Sequence, residues 1–170
     1  FIIEQFSRLT EKRSYQKPSE YIENVRYIDR ALSPFPGKFS YEKFPYFREI
    51  VDCFAPDNPT RRVYLMKGNQ IGATTGVLES IMMYYIGAVP SPVLYVLPDE
   101  GMARDAMRTK IEPTIDNCGL RPLIFAQSRK AAGSKNTGDT SLKKEYTGGY
   151  LHATGAGSGN RFRNFSYKIE

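Results

Sequence analysis

The run Lys67-Gly68-Asn69-Gln70-Ile71-Gly72-Ala73-Thr74-Thr75 carries the strongest chemical signal in the sequence. Glycines let backbone amides come close to a ligand, and the positive end of a following helix dipole adds to them, so such a loop can wrap a chain of phosphates. Against the pattern G-x-x-x-x-G-K-[ST], Gly72 and Thr74 fall on the second glycine and the hydroxyl. Lys67 replaces the first glycine and Ala73 replaces the lysine. That lysine normally neutralises the β and γ phosphates as charge shifts during transfer, a task Lys67 could take over from the front of the loop. The alternative is that Lys67 merely ends a strand and the glycine turn is a tight connection. Thr74 stands at the first helical turn, where a hydroxyl ligand to Mg²⁺ is expected.

The loop needs a strand before it and a helix after it, and the flanking sequence predicts both. Val63 to Met66 reads as a short buried strand. Thr74 to Ile86 reads as a mostly buried helix, because Val77, Leu78, Ile81, Met82 and Tyr85 recur at helical spacing. Val93 to Leu97 is a continuous apolar run ended by Pro98, as in a central parallel strand. Asp99 is placed to cap a helix bearing Met102, Ala103, Ala106 and Met107 on one face. Strand, loop, helix, strand, helix is the order of a parallel sheet covered by helices. Further on, Leu123 to Ala126 is a candidate strand. Leu142 to Tyr146 and Tyr150 to Thr154 flank Thr147-Gly148-Gly149 as a hairpin, and Phe165 to Ile169 is a last strand. Upstream, Ser19 and Glu20 open a helix with Tyr21, Val25, Ile28 and Leu32 on one face, and Phe47, Ile50, Val51 and Phe54 mark a second. Both are expected to pack on the later core. The division is therefore residues 1–60, an irregular helical segment, and 61–170, the core.

Composition bounds the function. The 170 residues are 41% hydrophobic and 25% charged, which excludes disordered, collagenous and coiled-coil classes. Cys53, Cys118 and a single His152 supply no cluster for zinc and no disulfide framework, and the two thiols are expected to be ordinary buried ones. His152, in the hairpin, reads as a packed or surface side chain rather than a catalytic base. The uncharged run Ser80 to Pro98 is interrupted by Gly87, Pro90 and Pro92, so it is read as two buried elements and not as a membrane span. The chain opens at Phe1 without a secretion pattern, and a reducing cytoplasm is the expected setting. Its net charge is +6. Residues 127–170 hold 8 Lys and Arg against 3 Asp and Glu, so almost all the excess sits there. Arg129, Lys130, Lys135, Lys143 and Lys144, on or beside a polar glycine-containing loop, are expected to meet the backbone of double-stranded DNA, the alternative being a solvated face.

The run Lys67 to Thr75, with Pro45-Tyr46-Phe47-Arg48-Glu49-Ile50 and Arg61-Arg62-Val63-Tyr64-Leu65-Met66 before it, resembles the N-terminal ATPase region of lambda-type, GpA-like phage terminase large subunits. Tyr84-Tyr85 ahead of Pro90, the strand ending at Pro98, Ile111 with Pro113, Gly148-Gly149-Tyr150-Leu151 and Gly155-Ala156-Gly157-Ser158 follow in that family's order, over about residues 34–170. The resemblance implies an α/β, P-loop NTPase-like parallel sheet with flanking helices, here cut short and without the nuclease domain. It implies an ATP-driven motor that packages double-stranded DNA into a procapsid, working as a homo-oligomer with a small terminase subunit and a portal in the cytoplasm of the bacterial host.

Carried over, Lys67 would contact the β and γ phosphates, Gln70 to Ala73 would cradle them by backbone amides, and Thr74 would bind Mg²⁺. Tyr46 would stack near the adenine, unless it is a core aromatic between Phe44 and Phe47. Arg161 or Arg163 would reach a neighbouring subunit's γ-phosphate, unless they contact DNA or solvent, and Glu170 would stand at the edge of the Walker B position. Two other readings stay open: a non-enzymatic nucleic-acid-binding module with a degenerate phosphate loop, and a helicase-like ATPase.

Overall fold

The computed structural model describes residues 16–30, 35–125 and 140–157. Leu32, Arg129, Lys130, Lys135, Arg161, Arg163, Glu170 and the expected strand Phe165 to Ile169 lie outside them.

Helix α1 (Pro18–Val25) starts on a proline, whose fixed φ suits the first helical position. It ends where Arg26 turns extended, so Ile28, expected on its last turn, belongs instead to strand β1 (Tyr27–Ile28). There it pairs antiparallel with β2 (Gly37–Lys38). Helix α2 (Pro45–Asp52) forms as expected and buries Phe47 and Val51. Helix α3 covers residues 74–87 in two continuous parts, a wide π-type first section Thr74–Glu79 and a regular section Ser80–Gly87. Strand β3 is Val93–Leu97. Helix α4, residues 100–117, opens on Asp99, whose Oδ1 accepts from the Met102 amide at 2.8 Å. Strands β4 (Lys143–Tyr146) and β5 (Gly149–Gly155) make the hairpin, and Gly148 supplies the positive φ, 91°, that its tight turn requires.

These elements make a mixed sheet of order β3-β5-β4 with helices packed on it, an α/β arrangement. β3 and β5 are parallel, and β4 is antiparallel to β5. The expected α/β class holds, the sheet being mixed because the expected hairpin adds β4 antiparallel, and β3, read as central, is an edge strand among the described residues. Val63 to Met66 is also corrected. No described strand runs beside it, and without a partner's ladder a short apolar run is not a strand; Tyr64 is 85% and Met66 100% exposed. Of the expected strand there, Ala126 lies outside the described residues, Leu123 sits in a short 3₁₀ turn, Arg121–Leu123, Ile124 bridges to Tyr146, and the Phe125 amide donates to the Glu145 carbonyl at 2.8 Å.

The core lies between α3, α4 and the sheet, with Met83, Ile86, Met107, Ile111, Ile115 and Leu151 each at most 2% exposed. The N-terminal elements close over it. Ser19 donates from its amide and its hydroxyl to Asp52, both at 2.9 Å, and Tyr84 Oη donates to the Gln16 carbonyl at 3.0 Å. Glu23 accepts from the Tyr41 amide at 2.7 Å and pairs with Arg48 at 2.9 Å.

Candidate functional site: the loop ahead of α3

Because a short turn through Pro90 joins α3 to β3, the two run antiparallel, and the start of α3 lies at the carboxyl end of the parallel strands. That edge is where ligands bind in open α/β sheets. The ends of β3 and β5 are pinned there under the start of α4. The Ala156 amide donates to the Leu97 carbonyl at 2.7 Å, and a Cβ on Gly155 would lie 2.5 Å from the Asp99 backbone.

The loop backbone alternates in the sign of φ. Gln70 sits at φ 53° and Gly72 at φ 83°, with Ile71 on the ordinary side between them. Alternation of this kind is the backbone pattern of anion-binding nests. A non-glycine residue in the left-handed region costs about 1–2 kcal/mol, so the strain at Gln70 is of the kind held at binding loops. Among the described residues, the amides of Ala73, Thr74 and Thr75 have no protein acceptor. They are the orphan donors of a helix start, and the Gly76 amide is satisfied instead by the Gly72 carbonyl at 2.7 Å.

The expected site residues take up distinct places. Lys67, Gly68, Asn69 and Gln70 are exposed, and Lys67 Nζ lies 3.3 Å from the Gly68 carbonyl oxygen, folded back on its own loop. Thr74 is half-buried at the first turn of α3, and Thr75 Oγ1 lies 3.5 Å from Glu79 Oε1. Tyr46 is 54% exposed on α2, so it is not a core side chain, and its hydroxyl reaches the Ile71 carbonyl at 3.4 Å. Its ring stacks edge-on against Phe47 at 4.4 Å, and Phe47 in turn fills the space a Cβ on Gly76 would need, at 2.5 Å. Gly76 thereby seats α2, with Tyr46, against the loop.

Two of the expected DNA-contacting lysines are placed. Lys143 is half-exposed, paired with Glu145 at 2.6 Å and lying over the Tyr150 ring at 5.0 Å. Lys144 is corrected: its side chain is 2% exposed and paired with Glu112 at 2.6 Å, because it shares the inward face of β4 with Tyr146. A side chain buried in that way does not face DNA.

His152 is half-buried on β5 opposite Lys143, and burial, with the lysine's charge, lowers its pKa. Cys118 is buried and its thiol is pushed up to about 11 by that burial, while Cys53 is half-buried. Among the described residues no group of three His, Cys, Asp or Glu could hold a metal. No described helix is long and apolar enough to cross a membrane.

Two features have no counterpart in the sequence patterns. A groove beside Gly72, Thr75 and Gly76 is lined by Lys38 of β2 and by Lys43 and Phe44 from the segment that leads into α2. The second feature is Arg26, which forms a buried ion pair with Glu79 of α3. The charge of Glu79 is felt by Tyr95 of β3, whose pKa is raised first by burial and then by that carboxylate. A charged residue on an otherwise apolar helix face was the available signal for Glu79; nothing local marks Arg26 as its partner.

No curated protein and no solved structure matches the chain. A family model for the phage terminase large subunit gpA, ATPase domain, matches residues 33–169, well over half of the chain. That span contains the loop, α3, the sheet and the Pro45–Asp52 helix that carries Tyr46, and the chain belongs to the family of phage terminase large subunit ATPase domains.

Proposed function

We propose that residues 67–75 bind the phosphates of ATP, and that the chain is the nucleotide-binding part of a motor that moves double-stranded DNA into a procapsid. The observation that carries the reading is the set of acceptor-free amides at Ala73, Thr74 and Thr75, at the mouth of a loop whose φ angles alternate in sign, in a member of a terminase ATPase family. On this reading the sheet is a P-loop-like one. Gly68 and Asn69 shape the loop, and Gln70 to Ala73, together with Thr74 and Thr75, present amides to the phosphates. Lys67, on its exposed flexible stem, swings from the Gly68 carbonyl onto the β and γ phosphates and replaces the charge missing at Ala73. The Thr74 hydroxyl, free of protein partners among the described residues, suits a Mg²⁺ ligand. Mg²⁺, when bound, offsets phosphate charge during hydrolysis. Tyr46 lies within reach of the loop and offers a ring face for the adenine.

Arg129, Lys130 and Lys135, with Lys143, supply the phosphate-facing charge for duplex DNA, and Arg161 or Arg163 acts on a neighbouring subunit's γ-phosphate. A small terminase subunit, a portal and further copies of the chain complete the motor in the host cytoplasm.

The test is calorimetric titration of the chain with Mg·ATPγS. Saturable binding that falls at least tenfold in the double variant Lys67→Ala, Thr74→Ala is expected. Equal affinity in wild type and double variant would remove the phosphate-loop assignment and favour a module that holds nucleic acid alone.

A further inference from the structure

Arg26 is 3% exposed and lies ahead of the matched family region, which starts at residue 33. Its guanidinium serves one short stretch of α3. Nη1 donates to the Thr75 carbonyl at 2.6 Å and to Ser80 Oγ at 2.8 Å, and Nη2 donates to Glu79. The Phe39 ring covers it at 5.1 Å. Burying a charge costs several kcal/mol and a buried pair rarely offsets that in stability, so a fork that holds a carbonyl, a hydroxyl and a carboxylate of one stretch of α3 points to a geometric task.

The Thr75 carbonyl belongs to the peptide group whose N–H is Gly76. That N–H donates to the Gly72 carbonyl at 2.7 Å, and the Gly72 carbonyl belongs to the peptide group whose N–H is Ala73. In a trans peptide the C=O and N–H point in opposite directions, so each link hands direction to the next. The chain runs from the guanidinium through Thr75 C=O and Gly76 N–H, then Gly72 C=O, to the acceptor-free Ala73 N–H. Hydrogen bonds in series polarise one another, and a cation at the far end strengthens the last donor. Tyr41 Oη holds the next carbonyl, Gly76, at 3.0 Å, and Ser80 Oγ adds a second donor to Thr75 at 3.2 Å.

We infer that Arg26 is a positioning residue for the anion-binding turn, aiming and polarising the Ala73 amide through the Thr75–Gly76 and Gly72–Ala73 peptide groups. The donor at the position where the usual loop lysine is replaced by alanine is thereby aimed and polarised through the backbone, with the guanidinium itself held by Glu79. The inference rests on the nucleotide reading for its purpose, while its geometry stands apart from it.

The experiment follows the Ala73 amide proton by NMR, and the affinity for Mg·ATPγS, in wild type, Arg26→Lys, Arg26→Gln and Tyr41→Phe. Lys144→Met, which loses a buried cation elsewhere, is the stability control. Arg26→Gln should move the Ala73 amide proton upfield and weaken binding roughly tenfold or more, the scale of a lost charged hydrogen bond. Arg26→Lys, which keeps the charge without the fork, should fall between, and Tyr41→Phe and Lys144→Met should leave the Ala73 resonance near its wild-type position. Should Arg26→Gln not fold, Arg26→Lys carries the same comparison. An Ala73 resonance and an affinity unchanged in Arg26→Lys and in folded Arg26→Gln would overturn the inference. Absence of binding in wild type, with the Ala73 shift still dependent on Arg26, would overturn the nucleotide reading and leave the relay standing.

Discussion

Lys144 Nζ donates to Glu112 Oε1 at 2.6 Å from a side chain that is 2% exposed, tying the middle of β4 to α4. Glu112 is 33% exposed, so the two ends of the pair are unequal. Removing the carboxylate takes the hydrogen-bonded counter-charge from a buried ammonium, which keeps only its longer-range attraction to charges such as Asp116, whereas removing the ammonium leaves a carboxylate that water can reach. Glu112→Ala is therefore expected to destabilise by about 2 kcal/mol, and Lys144→Met by clearly less, since apolar replacement of a buried charge is often near neutral. Thermal melts of the two variants check the order; a larger loss for Lys144→Met would contradict it.

The same pair separates the basic residues into two groups. If Arg129, Lys130 and Lys135 meet DNA phosphates, their joint replacement by Ala should flatten log K against log salt by roughly 0.9 for each phosphate no longer neutralised. Lys144→Met should leave the slope unchanged, because its charge is already engaged by Glu112. Fluorescence anisotropy on a duplex over a salt series gives both slopes. A slope unaltered by the triple replacement would reduce the excess charge to a solvated face.

Gly76→Ala sets two effects against each other. Alanine favours a helix over glycine by about 1 kcal/mol, but its Cβ would lie 2.5 Å from Phe47 Cδ2. Overpacking of a fixed ring costs about 1–3 kcal/mol, so the clash wins and the midpoint of unfolding should fall. The companion Phe47→Leu in the Gly76→Ala background should recover part of the loss. A midpoint raised by Gly76→Ala alone would mean α2 yields freely.

His152 gives a pH dependence with a definite sign. Its folded pKa lies below the ordinary value of 6.5 through burial first and Lys143 second. The unfolded chain therefore takes up the proton more readily. The contribution is complete above the unfolded value and is lost as pH falls through it toward the folded one. His152→Gln should narrow the stability difference between about pH 8 and pH 5.5 in denaturant titrations. A difference as large as that of wild type would place the dependence in other groups.

Much of the fold is legible in the sequence because the signals are local. The apolar spacing after Thr74, the run Val93 to Leu97 and the Gly148-Gly149 pair each name their element without help from distant residues. Asp99 as a cap is equally local. Val63 to Met66 misleads because strand formation depends on a neighbour that the segment itself does not specify. Lys144 misleads because charge suggests exposure, although its place two residues before the buried Tyr146 on a strand already puts both on one face. Arg26 is out of reach for a different reason: its partner Glu79 is 53 residues away, and only the fold brings them together.

On the proposed reading the backbone of residues 67–75 receives phosphate. Amide chemical-shift mapping of the chain titrated with Mg·ATPγS addresses it residue by residue. The largest saturable shifts should fall on Gln70 to Thr75, the Ala73–Thr75 amides being without a protein acceptor among the described residues. Saturable shifts concentrated elsewhere, with those amides unmoved, would place the phosphates at another surface.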